Sequence, residues 1–263
     1  MRIGFVGPGR LGLPMVERLA AAGHDLIVHA RRQEVRERLA SLGVRSTPDL
    51  GETAREREVA LVCVYDDTQL SAVAEELCRE LPPGAVLASH VTGEVETLRR
   101  LARRHLEVEV VDAPVSGTAD DIRAGALTVL LGGAPWARSR TAAAVRCYAS
   151  AVLESGDLGA ALSTKLVNNL LLAANTQLLA SAARLGEGLG IAPESLLATL
   201  GHMSGGSRAA ELAAQRPPLA EFARIISPFL AKDVSVCRTL ADEHGADAAL
   251  LLDVVGRGPL DLA

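Results

Sequence analysis

The sequence predicts an α/β protein in two parts, a mostly parallel sheet clothed in helices followed by an all-α region. Three observations carry that prediction. Short apolar runs alternate with helical patterns from Arg2 to Ser155, as successive βαβ units do. The first run opens into a glycine-rich turn, GPGRLG, at Gly7 to Gly12. Beyond Ser155 the strand patterns stop and the longest uninterrupted helical pattern begins, Ser163 to Gly190. The change sets a boundary near residue 160, with one domain at 1–158, the other at 159–263, and a long helix at about 162–190 joining them.

RIGFV, Arg2 to Val6, is a β-type run, and strand, GxGxxG and helix follow one another directly. Glycines there admit a tight turn and close backbone approach, and a pyrophosphate can sit at the helix N-terminus, so the N-terminal part reads as a Rossmann dinucleotide-binding domain. Pro14 falls in the first helical turn, where amides lack intrahelical partners. The second strand, DLIVHA at Asp25 to Ala30, leads into Arg31 and Arg32, where an NAD site places an acid for the adenosine ribose. Guanidinium groups suit a 2′-phosphate, so NADP is expected as cofactor, with NAD disfavoured.

Further strands are expected at VALVCV (Val59 to Val64), AVLAS (Ala85 to Ser89), LEVEVVDAPVSG from Leu106 with a break at Pro114, LTVLLGG (Leu127 to Gly133) and AVLES (Ala151 to Ser155). After the long helix come a short one from Pro193 to Gly201, the turn HMSGGS at His202 to Ser207, a helix from about Arg208, a break at Pro217 and Pro218, and a helix from about Phe229 to Glu243. Between Leu170 and Leu185 the long helix is nearly all Leu and Ala, which predicts burial over most of its length.

With 263 residues, 49% of them hydrophobic, the chain has ample material for a core. Net charge is −5 with acids and bases interspersed, so neither a nucleic-acid-binding face nor an acidic tail is expected. Met1 leads directly into a strand, and no apolar run suits a membrane span, which points to a cytoplasmic protein without membrane partners. Cys63, Cys78, Cys147 and Cys237 show neither CxxC pairing nor ligand spacing with the six histidines, so reduced thiols and no metal site are expected. Of the 27 basic residues all but Lys165 and Lys232 are arginine. A lysine, unlike an arginine, can lose its proton once desolvated, so these two mark places where an acid/base or a compact donor is needed. Helical spacing puts Lys165, Asn168 and Asn169 on one face.

On these motifs the chain resembles the β-hydroxyacid dehydrogenase family, the group that includes 3-hydroxyisobutyrate dehydrogenase, over nearly its whole length. GPGRLGLPM is similar to the family's cofactor loop, DAPVSG (Asp112 to Gly117, continuing to Gly125) to its substrate loop, GAALSTKLVNN (Gly159 to Asn169) to its catalytic segment, and AKD (Ala231 to Asp233) to its C-terminal Lys-Asp element. The resemblance implies an oxidoreductase moving hydride between NADP(H) and a small 3-hydroxy acid or the matching semialdehyde, as a homo-oligomer, dimer or tetramer. It implies Lys165 as general acid/base with Asn169 as its partner, and Ser116, Gly117 and Thr118 as ligands of the substrate carboxylate. For the cofactor it implies Gly7, Pro8, Gly9, Arg10, Leu11, Gly12, Arg31, Arg32, Val64, Thr92 and Lys232.

Some residues depart from the family pattern. Thr118 stands at the usual third position of a Ser-Gly-Gly loop, Ala161 replaces the second glycine before the lysine, and Val91-Thr92 replaces a Ser-Thr pair. Thr118 adds a side chain beside the expected carboxylate. A final helix over the dimer partner is expected to be missing, since the chain stops at Ala263. Asp233 is expected to be a local partner for Lys232 or an exposed helix residue, HMSGGS to help select substrate, and His90 and His202 to stay outside the mechanism. Imine reduction and cofactor binding without turnover are the alternatives on this architecture, and Lys165 with Asn169 argues against both.

Overall fold

The computed structural model describes residues 1–215 and 218–262, and falls into two compact units, Met1–Lys165 and Leu166–Ala263. Pro217 of the expected break lies outside the described residues.

The first unit is built on β1 (Arg2–Val6), β2 (Asp25–His29), β3 (Arg45–Thr47), β4 (Val59–Val62), β5 (Val86–Ser89), β6 (Glu109–Asp112), β7 (Val115–Ser116), β8 (Leu127–Gly132) and β9 (Ala149–Gly156). They form one sheet in the order β3-β2-β1-β4-β5-β6-β8-β7, with β9 also paired to β8. From β3 to β6 every pairing is parallel; β8 runs antiparallel to β6 and β7 and parallel to β9. The chain order reverses between β1 and β4, and ligands of such sheets bind beyond the carboxyl ends of the strands at that point.

Helices α1 (Gly12–Ala21), α2 (Gln33–Ser41), α3 (Leu50–Ala54), α4 (Asp67–Glu80), α5 (Val95–Arg104), α6 (Ala119–Ala124) and α7 (Pro135–Val145) connect the strands. Because helices cover both faces, β4 and β5 are buried at every residue and read as unbroken apolar runs. Ile3, Phe5, Val28, Leu61 and Val86 pack with Met15 and Leu19 of α1 in the main core. α5 shows the complementary logic: Val95, Leu98 and Leu101 are buried while Arg99, Arg100, Arg103 and Arg104 alternate onto the other face.

α8 (Ala160–Gly188) begins in this unit and continues into the second, which adds α9 (Pro193–Leu200), α10 (Arg208–Ala214), α11 (Leu219–His244) and α12 (Ala249–Arg257). Gln177 of α8 is fully buried and fastens the C-terminal segment, donating to Val255 O (2.8 Å) and Leu260 O (2.7 Å) and accepting from Leu260 N (2.9 Å).

The structure departs from the sequence reading at five places. β6 starts at Glu109 because Val108 N–H turns back to His105 O, leaving Leu106 87% exposed. β3, only Arg-Ser-Thr, carried no apolar signal. α11 starts at Leu219, about ten residues before the expected position, and accommodates Pro228 within it; α12 was not marked at all. α8 is not buried over most of its length, since Val167, Leu171, Leu178 and Leu185 form an exposed apolar stripe that Leu189 continues just past its end.

Candidate functional site

The turn between β1 and α1 is shaped by glycines doing different jobs. A Cβ at Gly7, which has φ +93°, would stand 2.2 Å from Cys63 O, and one at Gly12 would stand 2.0 Å from Gly7 O, so strand, turn and helix could not pack as closely with any side chain there. Gly9 is the exception, because a Cβ would meet nothing within 4 Å and its φ does not demand glycine. Packing does not explain Gly9, which leaves open space above the turn. The first turn of α1 has no acidic side chain, and Leu11 supplies no side-chain cap, which leaves that end favourable to an anion. Arg10 is exposed at the tip of the turn.

A cavity of about 700 Å³ opens over this turn, lined among others by Gly7, Pro8, Gly9, Arg31, Arg32 and Val64. The arginines stay exposed, as groups meant for a charged ligand should. Arg36 shapes their backbone by donating from Nη1 to Ala30 O (2.9 Å) and Arg31 O (2.7 Å). The sequence analysis missed Arg36 among many arginines. His29 also lines the cavity, its pKa lowered by burial and then by Arg31. Burial pushes the Cys63 thiol up to about 12, so it is no nucleophile. The residues present therefore fit a dinucleotide.

Two buried side chains organise the neighbouring strand ends. His90 follows β5, and its Nδ1–H donates to Ala113 O (2.6 Å) while Nε2 accepts from Tyr148 Oη–H (2.9 Å). That clamps the loop bearing Thr92 to the loop that enters Ser116. Burial lowers the ring's pKa to about 4, so it is neutral near pH 7. Asp112, at the end of β6, accepts from Gly159 N–H (2.9 Å, Oδ1) and Leu162 N–H (2.7 Å, Oδ2), gripping the first turn of α8. A Cβ at Gly132 would lie 2.3 Å from Asp112 Oδ1, and Gly159 holds φ +98°, so glycines clear the space this grip needs. Burial raises the Asp112 carboxyl's pKa, with the amide donors opposing.

Lys165 stands just beyond that gripped turn on α8. Val115 and Ser116 run as β7 beside β8, Ser116 and Gly117 are exposed, and Gly117 has φ +137°. Thr118 is otherwise engaged: with Asp121 it forms a reciprocal cap on α6.

In the second unit Asn169 is buried, donating from Nδ2 to Asp233 Oδ2 (2.5 Å) and accepting from Asn168 Nδ2 (2.9 Å). Lys232 Nζ lies 2.8 Å from Asp233 Oδ1. Asp233 is thus Lys232's partner as expected, but it is 4% exposed and not a surface residue. A sequence signal existed: Leu230, Asp233, Val234 and Cys237 share the buried face of α11 at helical spacing. HMSGGS is an exposed turn except for Ser207, which caps α10 through Ala210 N–H. Among the described residues no His, Cys, Asp or Glu cluster could hold a metal ion, and no helix is long and apolar enough to cross a membrane.

A glycine-turn cradle at the switch point of a parallel sheet, under a cavity lined in part by two arginines, defines a nicotinamide-dinucleotide-binding protein of the Rossmann type. Residues 2–156 match the family profile described as the NAD binding domain of 6-phosphogluconate dehydrogenase, and residues 159–255 that described as NAD-binding of NADP-dependent 3-hydroxyisobutyrate dehydrogenase. The chain belongs to the β-hydroxyacid dehydrogenase family of oxidoreductases. Mitochondrial 3-hydroxyisobutyrate dehydrogenase of Rattus norvegicus is 31% identical over 209 residues, 78% of this chain, which span 62% of the rat protein's length. The solved Mycobacterium tuberculosis 3-hydroxyisobutyrate dehydrogenase with L-serine superposes with a TM-score of 0.85 at 22% identity, covering 97% of this chain and 92% of that one. An imine reductase of Streptomyces aurantiacus shares the fold at a TM-score of 0.70 and 15% identity, with 97% and 92% covered.

Proposed function

We propose that the protein is an NADP-preferring oxidoreductase that moves hydride between NADP(H) and the carbinol carbon of a small 3-hydroxy compound, a 3-hydroxy acid or its semialdehyde being the reference pair, with Lys165 as general acid/base. The bound nicotinamide supplies the hydride acceptor or donor. Gly7 to Gly12 and the start of α1 would hold the pyrophosphate, Arg31 and Arg32 the 2′-phosphate, and Val64 and Thr92 would flank the nicotinamide end, with Lys232 as a further cofactor contact. In oxidation the substrate loses a hydride from carbon and a proton from oxygen, and Lys165 takes the proton; in reduction Lys165 returns it to the carbonyl oxygen. Asn169, fixed by Asp233, would orient the ammonium group and the substrate oxygen. A 1–158/159–263 division of labour between cofactor and substrate goes with this reading.

The observation that carries it is the Asp112 bridge, which ties the end of β6, and so the Ser116 loop, to the helical turn preceding Lys165. On this reading one residue couples a substrate loop to a proton carrier. The test is oxidation of NADPH and NADH in parallel against short semialdehydes, ketones and cyclic imines, with NADP-linked oxidation of L-serine included because a relative was solved with it. Lys165→Ala is expected to lose about 10²–10⁴ in kcat, the usual weight of general acid/base catalysis. Arg31→Ala should weaken NADP by roughly 10- to 100-fold and NAD little, as loss of a charge-assisted contact does. Turnover of imines alone, or full activity of Lys165→Ala, would overturn the proposal.

A further inference from the structure

We propose that Asp121 sets the substrate class, so that the Ser116 loop receives an end group that donates hydrogen bonds, an ammonium or a hydroxyl, and turns a carboxylate away. The inference rests on the assignment of that loop to the substrate. A loop that grips a carboxylate must offer donors, and here both donors of Thr118 are already spent within the loop. Thr118 N–H donates to Asp121 Oδ2 at 2.6 Å, and the Thr118 hydroxyl donates to the same oxygen at 2.8 Å. The same oxygen lies 3.1 Å from where a Gly117 Cβ would stand, so the carboxylate is laid along the loop backbone.

The charge at that place is left standing. Arg123, the nearest basic residue in sequence, pairs with Asp120 at 2.8 Å. Asp121 forms no ion pair among the described residues, and its Oδ1 bonds no protein donor among them. An incoming carboxylate finds the Thr118 donors filled and meets a like charge, both of which select against it. An ammonium or hydroxyl group meets an acceptor in Oδ1, on a loop whose Ser116 is exposed.

The test compares three probes of one length, 3-aminopropan-1-ol, propane-1,3-diol and 3-hydroxypropanoate, by calorimetric binding to the NADP-loaded protein and by initial rates. Wild type is expected to bind the amine and the diol at least about tenfold more tightly than the acid, the discrimination of one unfavourable charge contact. Asp121→Asn retains an acceptor for the cap and should lose the preference for the amine while gaining for the acid. Asp121→Ala, with Thr118 N–H released, should favour the acid further. Wild type binding the acid as tightly as the diol, with Asp121→Asn unchanged, would overturn the inference. Binding in the expected order without turnover would support Asp121 and sink the hydride-transfer reading instead.

Discussion

His90 makes the stability of the first unit depend on pH in a way that can be worked out. Its ring is buried between Ala113 O and the Tyr148 hydroxyl, and its pKa falls from 6.5 to about 4. Between those values the unfolded chain takes up a proton that the folded chain refuses. The contribution is therefore fully present above pH 6.5 and is lost as pH falls toward 4. At pH 4.5 the loss comes to about 2–3 kcal/mol, most of what is available over the whole window. The assay is urea denaturation at 25 °C from pH 7 to 4.5 on wild type and His90→Asn, whose amide can still donate to Ala113 O but does not titrate. The variant should start less stable and lose about 2–3 kcal/mol less than wild type over that range. Equal losses in the two proteins would refute the reasoning, because some other group would then carry the acid sensitivity.

Two further predictions test the cradle and the bridge. Gly9→Ala should leave the melting temperature within about 1 °C of wild type while weakening dinucleotide binding at least about tenfold, since the new methyl meets no protein atom; Gly12→Ala should lower the melting temperature instead. Calorimetric binding and thermal melts on the two variants check this. Asp112→Ala leaves two buried amide N–H groups without an acceptor and should cost about 3–5 kcal/mol, or roughly 10 °C in melting temperature. A drop under about 2 °C, measured by scanning calorimetry, would mean the first turn of α8 is held by something else.

The fold was legible where period and punctuation agreed. The apolar runs of β1, β4 and β5, each followed by a turn signal and an amphipathic stretch, could be placed because a sheet covered on both faces needs continuous burial. β3 and the start of α11 were not legible for opposite reasons. β3 is three residues with one buried side chain, and α11 holds a proline that sequence rules treat as a breaker. The exposed stripe on α8 was misread because Leu and Ala on every side leave no polar face to say which way the helix turns.

The candidate site divides along the same physical line. Motif residues such as Gly7, Arg31 and Lys165 stand out in the sequence because their chemistry is local: a turn, a charge, a titratable amine. The hydrogen bonds that tie the segments together do not, because they join residues far apart in sequence. Asp112 bonds residues about fifty positions on, His90 reaches Tyr148 across 58, and Asn169 meets Asp233 across 64. Along α8 these ties have one consequence. The helix is fixed at its first turn by a buried carboxylate and again at Asn169 by another, with Lys165 between them. Under the role proposed for Lys165, an ammonium group on a helix so held would lose little further freedom on meeting a substrate oxygen, as proton transfer in a fixed geometry requires. Asp233→Asn should therefore lower kcat more than it raises substrate KM, since it loosens the positioning of Asn169 without removing the proton carrier. An unchanged kcat in steady-state assays would show that the second tie serves stability alone.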